Sequence, residues 1–205
     1  MNKADKTKQY IIEQAALIFN EKGIAGTSID DILKASQVAK GCLYGHFESK
    51  EELSHASVDY ILGKMTERRK NALSKHKTAR GKITAFMELN KNPLDSFFKG
   101  GCPIVNFSTE TDDTNPVVKE KIRIMLSSAM DEFTMILRDG IMNGEFSDRL
   151  EPKDFVIKMF MSIEGANALC RTLNTIRPMQ VVIKSLKAEL DTNLLVNADK
   201  VVVPA

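Results

Sequence analysis

Between Thr27 and Lys50 the stretch TSIDDILKASQVAKGCLYGHFESK gathers hydroxyls, lysines, a phenol and an imidazole. These groups bind through charge and hydrogen bonds; they are not spaced for bond-making chemistry. His46, His55 and His76 are dispersed, with no nucleophile in a recognisable arrangement, and with Cys42, Cys102 and Cys170 they form no metal-ligand spacing. The chain has no G-x-S-x-G elbow, no P-loop and no dinucleotide fingerprint. The expectation is a protein that is not an enzyme and needs no cofactor or metal.

One residue carries a covalent option. Cys102 follows Gly100-Gly101 and precedes Pro103, so it is expected at a bend and not inside a regular helix. An accessible thiol there, its pKa lowered by a nearby cation such as Arg171, would suit sensing of electrophiles or oxidants. A buried, inert cysteine is the competing reading. The separation of the three cysteines argues against a disulfide framework and fits a reducing cytoplasm.

The elements that must hold the 27–50 stretch follow from its pattern. Ile29, Ile32 and Leu33 give an apolar i, i+3, i+4 stripe over about 28–35. Thr27 and Ser28 each precede an Asp by three residues, which is capping-box spacing with a shorter acid. Ser36-Gln37 makes a tight connection to a second short helix, about 38–44. That helix is too short to be stable alone, so the chain must hold it as a presented element: Ala39, Lys40, Gly41, Cys42 and Tyr44 are what it presents. Ser49 to Glu52 then form an S-x-x-E capping box for the next helix. The pattern is a helix-turn-helix.

With 43% hydrophobic and 27% charged residues in a length of 205, the chain can bury a sizeable core and is not disordered. Only 11 Gly and 6 Pro interrupt long periodic stretches, which points to an all-α protein of about nine helices. No run of eighteen apolar residues predicts a membrane span, and the charged start does not read as a signal peptide. Residues 1–80 hold 14 Lys/Arg against 10 Asp/Glu, a balance of +4, whereas 81–205 hold 15 against 17, or −2. That asymmetry is too modest to identify a nucleic-acid partner.

In chain order, residues 1–5 are expected to be a loose arm. A helix over about 6–22 ends at the Gly23 C-cap, with Lys3, Lys6 and Lys8 near its start as candidates to hold a phosphate. A fourth helix runs from Lys50 through the Arg68-Arg69-Lys70 cluster, taken as a solvated face, to near Lys77. Another covers about 78–90. Glu110 to Asp113 are expected in an acidic loop. Asn115-Pro116, Pro152 and Pro178 open three long helices by the N-cap and N1 rules. The last two have apolar faces too extensive for a surface helix, which suits a four-helix bundle between two copies. The domains expected are 1–50, a helix-turn-helix; 51–195, a helical effector-binding and dimerising part; and 196–205, a tail. Phe86, Phe97, Phe107, Phe133 and Phe160 are candidates to line an apolar pocket, with Arg171 and Cys102 beside it.

Residues 7–53 resemble the DNA-binding domain of TetR-type transcriptional repressors. The resemblance rests on Ile11-Ile12, Ala15-Ala16, Phe19, Gly23, Thr27-Ser28, Asp31-Ile32, Lys40-Gly41, Leu43-Tyr44, His46-Phe47, Ser49-Lys50-Glu51 and Leu53. Beyond residue 55 it is architectural. The resemblance implies phosphate contacts at Thr27, Ser28, Tyr44, His46 and Lys50, with base-edge contacts at Ala39, Lys40, Gly41 and Asp30, Tyr44 being open to either job through its hydroxyl or its ring. It also implies a homodimer, joined through the last two long helices, on a palindromic double-stranded operator, released by a small-molecule effector. A transcriptional activator, or a helical small-molecule-binding protein, would have the same domains. Two positions depart from the family pattern: Gln37 stands where a turn glycine is usual, and Ala39 where Ser or Thr caps the second helix. Gln37 is therefore expected to take φ > 0 unless the turn differs.

Overall fold

The computed structural model describes residues 2–195; the expected tail, 196–205, lies outside them. The described chain is all-helical, with nine α-helices: α1 (Lys3–Lys22), α2 (Ile29–Ser36), α3 (Lys40–Tyr44), α4 (Lys50–Leu73), α5 (Ala79–Leu89), α6 (Pro103–Thr111), α7 (Pro116–Met142), α8 (Pro152–Leu173) and α9 (Arg177–Thr192). A 3-10 turn spans Pro93–Asp95. Among the described residues, extended pairing is limited to an isolated bridge between Phe146 and Leu194, and no helix is long and apolar enough to cross a membrane.

Packing divides the described chain into two compact units. Of the described residues, the first unit comprises 2–68 with 93–126, and the second 69–92 with 127–195. The core of the first is built from Ile11, Ala15 and Phe19 of α1, Ile32 of α2, Leu43 of α3 and Leu53, Val58 and Ile61 of α4. Phe107 of α6 completes it. These residues recur at helical spacing because each helix buries one stripe and leaves the other wet. In the second unit, Phe86, Phe133 and Phe160 meet with ring centroids 4.6 to 5.8 Å apart, and α8 lies along α9.

Several expectations need correction. Residues 1–5 are not a loose arm: Asn2 caps α1, its side chain accepting from the Asp5 N–H at 2.8 Å while Asp5 accepts from the Asn2 N–H at 3.1 Å. The N-x-x-D signal for this box was in the sequence. Glu110 and Thr111 are the last turn of α6 and not an acidic loop; Pro103 starts α6 by the same N1 rule that starts α8. The basic cluster is not all solvated. Arg69 is 8% exposed, its Nε donating to Glu132 at 2.9 Å, and Arg68 lies 4.8 Å over the Phe97 ring.

Candidate nucleic-acid interface

The capping expected at the start of α2 is present. The Asp31 N–H donates to Ser28 Oγ at 3.1 Å and the Ser28 N–H donates to an Asp31 oxygen at 3.0 Å. Lys22 adds an ion pair to the same carboxylate. The Lys22 hydrogen bond first, then Ser28, hold the Asp31 carboxyl well below its ordinary range. Asp31 is therefore committed to α2. Ser28 is exposed, and its hydroxyl also donates to the Asp31 carboxylate at 2.8 Å, so a phosphate would have to compete with Asp31 for that proton.

Gln37 closes α2 in the left-handed region, at φ 56° and ψ 25°, and its amide donates to the Lys34 carbonyl at 2.5 Å. A side chain with a Cβ thus occupies the position where glycine is usual, at a conformational cost of roughly 1–2 kcal/mol. Ala39 is the N-cap of α3 and makes no side-chain cap bond, as its methyl requires. Behind α3, Leu43 and Phe47 are buried. In front, Ala39, Lys40, Gly41 and Tyr44 are exposed, and a Cβ built on Gly41 would meet nothing within 4 Å. His46 is half-buried. α3 thus presents an open, small and cationic face from a buried anchor.

Two of the residues expected at phosphates have a different or additional job. Thr27 is 1% exposed and its hydroxyl donates to the Gly23 carbonyl at 2.6 Å, so that side chain closes the α1–α2 turn. Lys50 Nζ donates to the carbonyls of Ile24 and Thr27, each at 2.9 Å, which leaves one N–H for an outside acceptor. The Ser49 cap of α4 forms half as expected. The Glu52 N–H donates to Ser49 Oγ at 3.1 Å, but the Glu52 carboxylate reaches back to the Glu48 N–H at 2.8 Å. Of the three N-terminal lysines, the structure brings Lys8 to this region, 5.0 Å over the Phe47 ring.

The expected pocket residues do not share one unit. Phe86, Phe133 and Phe160 pack together in the second, whereas Cys102, Phe97 and Phe107 belong to the first. Phe107 is fully buried in core, and Phe97 is 57% exposed, edge-on to Phe98. Arg171, a candidate to stand beside the pocket, is exposed in the last turn of α8. Cys102 is 9% exposed at the N-cap of α6, closer to the buried than to the accessible reading of its thiol. Glu110 was not among the expected site residues, yet its carboxylate sits on the turn that delivers α2.

Residues 11–56 match the family model described as bacterial regulatory proteins of the tetR family, and residues 79–186 match that of the tetracyclin repressor-like C-terminal domain. The chain is 31% identical to the HTH-type transcriptional regulator QacR of Staphylococcus aureus over 146 residues, which is 71% of this chain and 74% of that protein. A TetR transcriptional regulator from Chloroflexus aurantiacus superposes with a TM-score of 0.90 at 33% identity, over 95% of this chain and 98% of that one. CifR, a TetR-family transcriptional regulator solved with 26-bp double-stranded operator DNA, shares the fold at a TM-score of 0.75 and 17% identity, over 89% and 95% of the two chains. The chain belongs to the TetR family of transcriptional regulators.

Proposed function

We propose that this protein is a ligand-responsive repressor that binds a palindromic operator as a homodimer. The observation that carries the reading is the exposed face of α3, where Lys40 stands between Ala39 and Gly41 with Tyr44 one turn on. A lysine with small neighbours can approach the major-groove edge of guanine and donate to O6 and N7. Ser28, Tyr44, His46 and the remaining donor of Lys50 would fix register on phosphates, while Thr27 acts by holding the turn behind them. CifR, with the same fold, was solved on operator DNA, which supports this use of the domain.

The partner for the second unit is a second copy. Ile157, Met161, Leu169 and Leu173 of α8 and Val181 of α9 are 42–65% exposed, an apolar face that a monomer would leave in water. Pairing two such faces makes a four-helix bundle with two-fold symmetry, which matches an inverted-repeat operator. In this reading residues 1–50 meet DNA and 51–195 dimerise and sense the signal. The signal is a small molecule that reorganises the Phe86, Phe133 and Phe160 cluster, or a thiol-reactive compound acting at Cys102. Either shifts the dimer only by its differential affinity for the DNA-bound and released forms. The protein acts in the cytoplasm, beside the DNA it reads.

The test is selection of duplexes from a random pool, followed by titration at several salt concentrations. The reading expects an enriched inverted repeat, bound by a dimer, with affinity falling steeply as salt rises. No duplex binding even at low salt would overturn it.

A further inference from the structure

The last turn of α6 closes on the helix-turn-helix through one carboxylate. Glu110 accepts from the backbone N–H of Ile24 at 2.9 Å and of Ala25 at 2.7 Å. These amides follow the Gly23 C-cap and lie in the connection from α1 to α2. Gly23 is at φ 81°, and a Cβ there would come within 3.1 Å of both Glu110 oxygens, so the glycine is what lets the carboxylate sit against the turn. On the other side, Lys50 donates to the carbonyl of Ile24, the residue whose N–H Glu110 accepts.

The first turns of α6 are tied to α1 as well. The Asn106 amide donates to the Asn20 carbonyl at 2.9 Å, and Asn20, 2% exposed, donates to the carbonyls of Lys99 at 2.7 Å and Gly101 at 3.1 Å. α6 is thus fixed to the end of α1 and holds the next turn by a charge-assisted pair. Bonds from backbone N–H to a carboxylate are the stronger class, and two amides approaching one carboxylate fix direction as well as distance.

We propose that Glu110 is a positioning residue for operator binding. By fixing the α1–α2 turn to α6, it sets the angle at which α2 and α3 are delivered, and so the separation at which a dimer presents its two α3 faces. The inference rests on the operator-binding reading above and names the side chain through which α6 holds the α1–α2 turn.

The experiment compares wild type, Glu110→Gln and Glu110→Ala on the palindromic duplex enriched by wild type, and on duplexes with one base pair added or removed between half-sites. Melting temperature and helix content are measured alongside. Glu110→Ala is expected to lose on the order of tenfold in affinity on the enriched spacing, and clearly less on the altered spacings, so that its spacing preference flattens. Glu110→Gln keeps the shape and one acceptor and should fall between, which keeps the test open if the alanine variant unfolds. An equal loss on all spacings, or no loss, overturns the inference while the operator reading stands. A wild-type protein that binds no duplex overturns both.

Discussion

The ammonium of Lys50, the first residue of α4, lies 2.9 Å from the carbonyl oxygen of Thr27, the residue before the N-cap of α2. The same ammonium holds the Ile24 carbonyl at 2.9 Å. A lysine that the family resemblance placed at a phosphate is thus also an internal strut of the turn. Lys50→Ala should leave two partly buried carbonyls without their donor, at about 2 kcal/mol, and it should also lower the salt dependence of operator binding by about one ion. Unfolding curves and a salt titration check the two parts separately. An unchanged melting temperature would remove the strut, and an unchanged slope would remove the phosphate.

Gln37 stands at φ 56° at the end of α2. Gln37→Gly removes the steric cost of the left-handed region, at the expense of the amide bond to the Lys34 carbonyl. The net effect expected is stabilisation of about 1 kcal/mol, or roughly 2–4 °C in Tm for a chain of this size. Differential scanning calorimetry reads it directly, and a fall in Tm would mean that the Lys34 contact outweighs the backbone term.

Asp31 links stability to pH. Its carboxyl is depressed by Lys22 and Ser28, so the deprotonated form is favoured by folding. The contribution is therefore present above the unfolded carboxyl value of about 3.9 and is lost as pH falls through the lower folded value. Asp31→Asn lacks it throughout. The stability gap between wild type and this variant should be open at neutral pH and close as the solution is acidified below about pH 4, measured by urea unfolding. A gap that stays constant would contradict the assignment.

How much of this was legible depended on how local each cause is. The Ser28–Asp31 box, the Gly23 stop and the positive φ at Gln37 are set within a few residues, and the sequence pattern carried them. α6 was missed because Gly100 and Gly101, both at positive φ, break the helical pattern immediately before Pro103 at N1. The internal hydrogen bonds of Thr27, Lys50 and Arg69 were hidden for a different reason. Their partners lie 4, 23 and 63 residues away, and no rule of residue type says whether a lysine faces solvent or a carbonyl. Glu110 is the extreme case, 86 residues from Ile24: in the sequence it is one acid among several near Asp112 and Asp113. The dispersal of the phenylalanines was equally hidden, since Phe107 and Phe133 share residue type but belong to different units.

The central claim is that the exposed face of α3 reads bases through Lys40. Its most direct measurement is the affinity of Lys40→Ala for the enriched palindrome and for variants of that palindrome at each guanine of the half-site. Because Lys40 is exposed, the substitution should leave Tm unchanged. It should lose about 1–3 kcal/mol on the wild-type operator and little further when the contacted guanine is replaced. A uniform loss across all sequences, with discrimination at every guanine intact, would contradict the account and make Lys40 a phosphate contact.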